Sequence, residues 1–181
     1  MTGPFRSAAP AGAAARTPTR TLRLECSAGP LFLRESGGAI TRLHWMGPSS
    51  TSDLPKSGED SPLLAEAARQ LEAYFAGERQ VFDLPLAPAG SVFHNDVWRL
   101  MCAIPFGETA TYGDLARQLD SAAQPVGSAC GANPIAILIP CHRVVAADGL
   151  GGFSGGVGVE SKRFLLHHEG ALEPELDLFG S

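Results

Sequence analysis

Charge, paired cysteines and long apolar runs are all scarce in this chain. Charged residues make up 18% of its 181 positions, and the formal net charge is -5. Nonspecific duplex affinity comes largely from Lys and Arg neutralising phosphates, so this balance does not advertise a nucleic-acid binder, and electrostatics alone leave DNA binding a minority reading. The four cysteines, Cys26, Cys102, Cys130 and Cys141, form no CxxC pair, and only Cys141 has a histidine close by. That spacing fits neither a disulfide framework nor a zinc knuckle and favours reduced thiols in a cytosol. The longest apolar run falls far short of the roughly 18 to 20 residues that span a bilayer, and the N-terminus has no continuous apolar h-region. No membrane association is expected, and the protein is placed inside the cell, in the cytoplasm, or in the nucleus if eukaryotic.

What is present is enough apolar material, 44% of residues, for one compact unit of one or two subdomains. Residues 1–19 are mostly Ala, Pro, Thr and Arg and read as a disordered tail. From Arg20 to Trp45, alternating segments separated by Ala28-Gly29-Pro30 and Gly37-Gly38 predict a small antiparallel sheet. Gly47 to Asp60 is a polar loop. Ser61 as N-cap and Pro62 at the first helical position open a helix whose stripe is Leu64, Ala68, Leu71 and Phe75, stopped by Gly77. Gln80 to Leu86 could add a strand, and Pro85, Pro88 and Gly90 mark a linker. The expected parts are therefore a tail, an N-terminal sheet-and-helix domain over 20–88, and a C-terminal domain over 91–173.

The second part starts with a helix capped by Asn95 or Asp96, with Val97, Leu100, Met101 and Ile104 facing inward, ended by Pro105 and Gly107. Thr111 opens another, with Asp114 as its capping-box partner and Leu115 and Leu119 inward. After a break at Asp120 to Gln124, Pro125 begins a third, short helix reaching Ala132. Two short helices across a tight turn read as a helix-turn-helix. The second of them, PVGSACGA, has almost no large side chains. Close packing against a neighbour explains this, and so does close approach of its backbone to a DNA groove; it lacks the Arg, Asn or Gln of a major-groove reader.

The most informative stretch is Ile135 to Val145, IAILIPCHRVV. Six apolar or proline residues lead to Cys141, with His142 and Arg143 directly after it. The run is short and β-branched and predicts a buried strand that stops at Pro140, leaving the cysteine at a strand end. A cysteine attacks as the thiolate and needs a base, which in turn needs an orienting partner. The triplet PCH alone leaves a structural cysteine and a core histidine as open as catalysis. Beyond it, Asp148-Gly149 makes a turn, and GGFSGG is a glycine-rich loop that does not match the phosphate-cradling GxxxxGK[ST] pattern. A last helix runs from about Ser161 to Glu169, ended by Gly170.

PCHRVV resembles the active-site motif of the O6-alkylguanine-DNA alkyltransferases, or methylated-DNA-protein-cysteine methyltransferases. The likeness continues in order through LEAYFAGERQVFDLPL, VFHNDVWRLMCAIPFGETATYGDLA, GANPIAILIPCHRVV, GFSGG and LLHHEG, covering about Leu63 to Gly170. It implies an α/β (α+β) protein with a small N-terminal antiparallel sheet and helix, then a mostly helical domain carrying the helix-turn-helix and the cysteine. By resemblance, Cys141 takes an alkyl group from O6 of guanine and keeps it. His142 is a water-mediated base oriented by Glu169, and Asn133 braces their loop. Tyr112 hydrogen-bonds the flipped base, Val144 and Ser154 hold its edge through the backbone, and Phe153 lies against it where the family often has Tyr. Ala129 and Gln124 belong to the helix that meets the minor groove. The family implies no metal, no cofactor, a monomer, and double-stranded DNA bearing O6-alkylguanine, with O4-alkylthymine as a further substrate.

Three departures stand out. Gln124 replaces the arginine usual in the family, which predicts weaker duplex binding. The stretch from Ser154 to Glu169 is about two residues longer than usual. No Cys/His set in the N-terminal half matches the structural zinc site of some relatives. Competing readings are a non-enzymatic alkylated-base binder of the alkyltransferase-like type, in which the cysteine is replaced, a sensor half of an adaptive-response regulator, and a cysteine hydrolase using Cys141 and His142.

Overall fold

The computed structural model describes residues 18–46 and 60–172. The expected tail up to residue 17, nearly all of the polar loop and the acidic end lie outside the described residues. Strands β1 (Arg20–Leu24), β2 (Leu31–Ser36) and β3 (Ala39–Trp45) form an antiparallel sheet in that order, with Leu22 opposite Leu33 and Leu33 opposite Leu43. The β2–β3 connection is the two-residue loop Gly37-Gly38, with φ of 63° and 73°. A two-residue hairpin with both φ positive matches the twist of the strands it joins, and glycine adopts it without steric cost.

Helix α1 (Pro62–Phe75) covers this sheet, and Ser61 caps it by accepting from the Leu64 amide at 3.1 Å. Its buried stripe is Leu64, Ala67, Leu71 and Tyr74, so the helix is turned slightly from the expected Ala68 and Phe75 face. Residues 80–86 form no strand. Pro85 cannot donate to a ladder, and a single parallel bridge from Ile40 to Leu86 remains.

Helix α2 (Val92–Ala103) starts three residues before Asn95, the first of the two expected caps. Ser91 is the cap, accepting from the His94 amide, and Asn95 Nδ2 instead donates to the Gly90 and Ser91 carbonyls. Ser and Asn are comparable caps, and here the earlier one wins. Val97, Trp98 and Met101 face the core. A short strand β4 (Ala110–Thr111) leads into α3 (Tyr112–Gln118), whose capping box between Thr111 and Asp114 has both bonds in place.

Helix α4 (Ala123–Gly131) packs on α3 and on α2, and it begins two residues before Pro125. Proline is tolerated there because the first turn has no intrahelical acceptor for its missing amide. Gln124 is therefore in the first turn of α4 and exposed, rather than in the break before it.

The expected strand before Cys141 is absent. Ile135 makes one parallel bridge to Leu43, Ala136 bridges back to Ile139, and Ile137 between them has φ of 70°. Cys141–Arg143 is a single turn of 3-10 helix, followed by β5 (Val144–Val145), which pairs in parallel with β4. The cysteine thus opens a helical turn rather than ending a strand. Helix α5 (Val159–His168) closes the fold, with Gly170 at φ 73° beyond its end. One core runs through both halves, joining Leu33, Tyr74, Trp98, Ile139 and Leu165. Among the described residues no helix is long and apolar enough to cross a membrane.

Candidate functional site

Asn133 organises the loop that carries the cysteine. Its Oδ1 accepts from the Ile135 amide at 3.0 Å and its Nδ2 donates to the Ile139 carbonyl at 2.8 Å. The Cys141 amide donates to that same carbonyl at 2.8 Å. These bonds hold Ile137 in a left-handed conformation that costs a β-branched residue roughly 1–3 kcal/mol. The packing of Ile135, Ile137 and Ile139, each 1% exposed or less, supplies the compensation.

Past the cysteine, the turn sends His142 and Arg143 inward to one carboxylate. His142 Nε2 lies 2.8 Å from Glu169 Oε1, Arg143 Nε donates to Oε2 at 2.8 Å, and Arg143 Nη2 donates to Oε1 at 3.0 Å. The Tyr74 hydroxyl donates to Oε1 at 2.7 Å. Arg143 also donates to the Ile104 carbonyl at 2.7 Å. Burial would raise the Glu169 carboxyl, but the hydrogen bonds from His142 and Arg143 outweigh it and hold it at about 2. Burial lowers His142, with the Glu169 hydrogen bond only partly offsetting it. A neutral imidazole facing an ionised carboxylate carries its proton on Nε2, so Nδ1 is the basic atom. Among the described residues, Nδ1 is the one buried side-chain nitrogen or oxygen with no hydrogen-bond partner.

Cys141 itself borders a pocket of about 370 Å³, lined also by Tyr112, Gly127, Cys130, Gly131, Gly152, Phe153 and Ser154. This lies in the range of about 300–1,000 Å³ typical of small-molecule sites. Burial raises the thiol, while the Asn133 side chain, the Lys162 ammonium and the local amides act to lower it. Tyr112, raised by burial, keeps its hydroxyl proton, which points to the Gly152 carbonyl at 3.4 Å. A Cβ on Gly151 would stand 3.0 Å from the Tyr112 ring, so this backbone approach requires glycine. Phe153 meets Trp45 edge-on with centroids 5.9 Å apart. The Ser154 hydroxyl donates to the Gly131 carbonyl at 3.4 Å.

The fold thus brings Cys141, His142, Glu169 and Asn133 together, and sets Tyr112, Phe153 and Ser154 around one pocket with the cysteine. Two expected residues stand differently. Ala129 is fully buried, and its carbonyl accepts from Trp98 Nε1 at 2.8 Å, so it faces the core and offers nothing to an outside partner. Val144 is also fully buried, and its carbonyl accepts from Lys162 Nζ at 2.6 Å.

Lys162 carries no local mark in the sequence, where it reads as one more charge on a terminal helix. It is fully buried, also donates to the Gly152 carbonyl at 3.3 Å, and lies 5.8 Å from the Tyr112 ring centroid. Tyr74 carries no such mark either, and Arg143 reads in the sequence only as a charge beside the cysteine. Among the described residues, no group of three or more His, Cys, Asp or Glu side chains could hold a metal ion.

The family described as 6-O-methylguanine DNA methyltransferase, DNA binding domain, matches residues 92–171, and its ribonuclease-like domain matches residues 22–88. The methylated-DNA-protein-cysteine methyltransferase of Methanosarcina acetivorans is 42% identical over 151 residues, covering 81% of this chain and 96% of its own. The Mycobacterium tuberculosis protein of the same name is 43% identical over 159 residues, covering 83% and 93%. The crystal structure of the M. tuberculosis O6-methylguanine methyltransferase superposes with a TM-score of 0.73 at 39% identity, covering 87% of this chain and 96% of that one. The M. tuberculosis protein in complex with DNA gives 0.71 at 40% identity, covering 84% and 92%.

Proposed function

Because the chain belongs to the 6-O-methylguanine DNA methyltransferase family and repairs DNA by alkyl transfer to protein cysteine, we propose that Cys141 is the acceptor and that O6-alkylguanine is the donor. The observation that carries this reading is the His142–Glu169 pair beside Cys141, which leaves Nδ1 as the free basic nitrogen. Glu169 fixes the tautomer and stabilises the imidazolium that forms when Nδ1 takes the thiol proton through a water. The thiolate attacks the alkyl carbon, the S–C bond forms, the C–O6 bond breaks, and the electron pair passes to the purine. Tyr112, still protonated, is the hydrogen-bond donor placed to help discharge that charge. No metal or cofactor is called for, because the attacked carbon carries its own leaving group. The product is a thioether with no hydrolysable bond, so each molecule acts once.

A base stacked in duplex DNA cannot reach a thiol set inside a pocket, so the lesion must be flipped out. We assign the α3–α4 pair to the minor groove, with exposed Gln124, Pro125 and Ser128 on the approaching face and Gln124 filling the gap left in the stack. Phe153 and the Ser154 backbone hold the flipped base. On this reading the transfer domain is 91–173, and the domain over 20–88 contributes Tyr74 to the Glu169 carboxylate. A repair protein with unpaired thiols acting on chromosomal DNA works in the cytoplasm, or the nucleus if eukaryotic. An alkyltransferase-like binder would lack the thiol that Cys141 supplies. Titrating a duplex bearing O6-methylguanine with protein tests the reading. Repair should stop at one lesion per protein molecule, and continued repair at substoichiometric protein would overturn it.

A further inference from the structure

The acceptor pocket contains a second thiol. Cys130, in the last turn of α4, lines the same pocket of about 370 Å³ as Cys141. The two backbones are tied through Asn133, whose amide donates to the Cys130 carbonyl at 3.2 Å. Its side chain holds the Ile139 carbonyl at 2.8 Å, and the Cys141 amide binds that same carbonyl. Cys130 has no part in the alkyl transfer described above, and its sulfur's one side-chain partner among the described residues is Met101 Sδ at 3.4 Å, a weak acceptor. Cys141 is partly exposed, whereas Cys130 is buried.

We propose that Cys130 is a resolving thiol, which captures a peroxide-oxidised Cys141 as an intramolecular Cys130–Cys141 disulfide. The oxidant is hydrogen peroxide. Cys141 sulfur attacks one peroxide oxygen, the O–O bond breaks, and the departing hydroxide takes a proton to become water, leaving Cys141 as the sulfenic acid. Cys130 sulfur then attacks Cys141 Sγ. The S–S bond forms, the S–O bond breaks, and the hydroxide leaves as water with the Cys130 proton. A thiol reductant returns both cysteines, whereas further oxidation to the sulfinic acid is irreversible. For a protein whose acceptor is used once, the bridge keeps an oxidised molecule recoverable. The inference rests on Cys141 being the acceptor only for its benefit, since the disulfide itself can be detected without any repair assay.

Trypsin releases both cysteines on one peptide, 118–143. After peroxide treatment of the full chain, that peptide should be two hydrogens lighter, and chymotryptic cleavage after Leu138 should leave its halves joined. Methyl transfer, each protein normalised to its own untreated rate, should return almost fully after dithiothreitol. In Cys130→Ala and Cys130→Ser the recovery should fall to on the order of a tenth, with Cys141 found as sulfinic acid. Oxidised Cys141 without a bridge, a bridge from Cys141 to Cys26 or Cys102, or equal recovery in the Cys130 variants overturns the proposal. Failure of methyl transfer with the bridge intact would count against the repair reading alone.

Discussion

The imidazole of His142 and the carboxylate of Glu169 meet at 2.8 Å with side-chain exposures of 1% and 0%. The same carboxylate receives Arg143 and Tyr74, so a single acid at the end of α5 sets the state of the base and anchors a buried guanidinium.

Replacing Glu169 by Gln should therefore cost both rate and stability. Arg143 is left buried without its counter-ion, and breaking such a pair costs about 3–5 kcal/mol. The imidazole loses its orienting charge, and the methyl-transfer rate should drop by roughly 10²–10⁴. Urea unfolding and single-turnover kinetics check the two effects. His142→Ala should show the rate loss while duplex affinity stays near that of the unaltered protein.

Stability should fall on the acid side in two stages. His142 is lowered in the folded state, so the unfolded chain takes up a proton first as pH drops below the ordinary histidine value of about 6.5, and folding loses support there. Glu169 is held at about 2 against an ordinary 4.5, so its contribution is present above that value and is lost as pH falls from there toward 2. Urea midpoints measured against pH should show both stages, and in His142→Ala the first should shrink to what His44, also lowered by burial, contributes. In the same pH series, the methyl-transfer rate should be flat from neutrality into mild alkali. His142 is already neutral there and the burial-raised Cys141 still holds its proton. A tenfold rise per pH unit would instead mean that a preformed thiolate reacts without the relay.

Lys162 joins the Val144 carbonyl to that of Gly152, a residue of the pocket wall. Lys162→Met keeps the bulk and removes the donor to the buried Val144 carbonyl, a loss of about 1–3 kcal/mol. The thiol also loses a nearby cation that favours its ionised form. Both thermal stability and transfer rate should fall.

Gln124 is exposed in the first turn of α4. Gln124→Arg should tighten duplex binding and steepen the dependence of log affinity on log salt by about 0.9 if the new side chain meets one phosphate. An unchanged affinity and slope would place Gln124 away from the backbone.

Local signals were legible in the sequence and long-range ones were not. Ser61-Pro62 and the Thr111–Asp114 box start helices through bonds three residues long, and both are where the spacing predicted. Of the catalytic set, the Cys141–His142 pair stands out locally, whereas the brace at Asn133 and the link to Glu169, 27 residues beyond His142, rest on resemblance. Tyr74, 95 residues from Glu169, has no local mark, and it reads as another core aromatic of α1. The run IAILIP reads as a strand because of its β-branched content. The Asn133 clamp and the Leu43–Ile135 bridge fold it back on itself, so tertiary bonds override that propensity. Ala129 misled because small side chains suit a groove and a tight core equally, and Trp98 claims it for the core.

The most direct measurement is to locate the transferred methyl group by fragmenting peptide 118–143 after reaction with an O6-methylguanine duplex. The expected result is one methyl per protein molecule on Cys141, formed with the same kinetics as repair and slowed together with it in His142→Ala. A methyl on Cys130, or repaired DNA with an unmodified peptide, would contradict it.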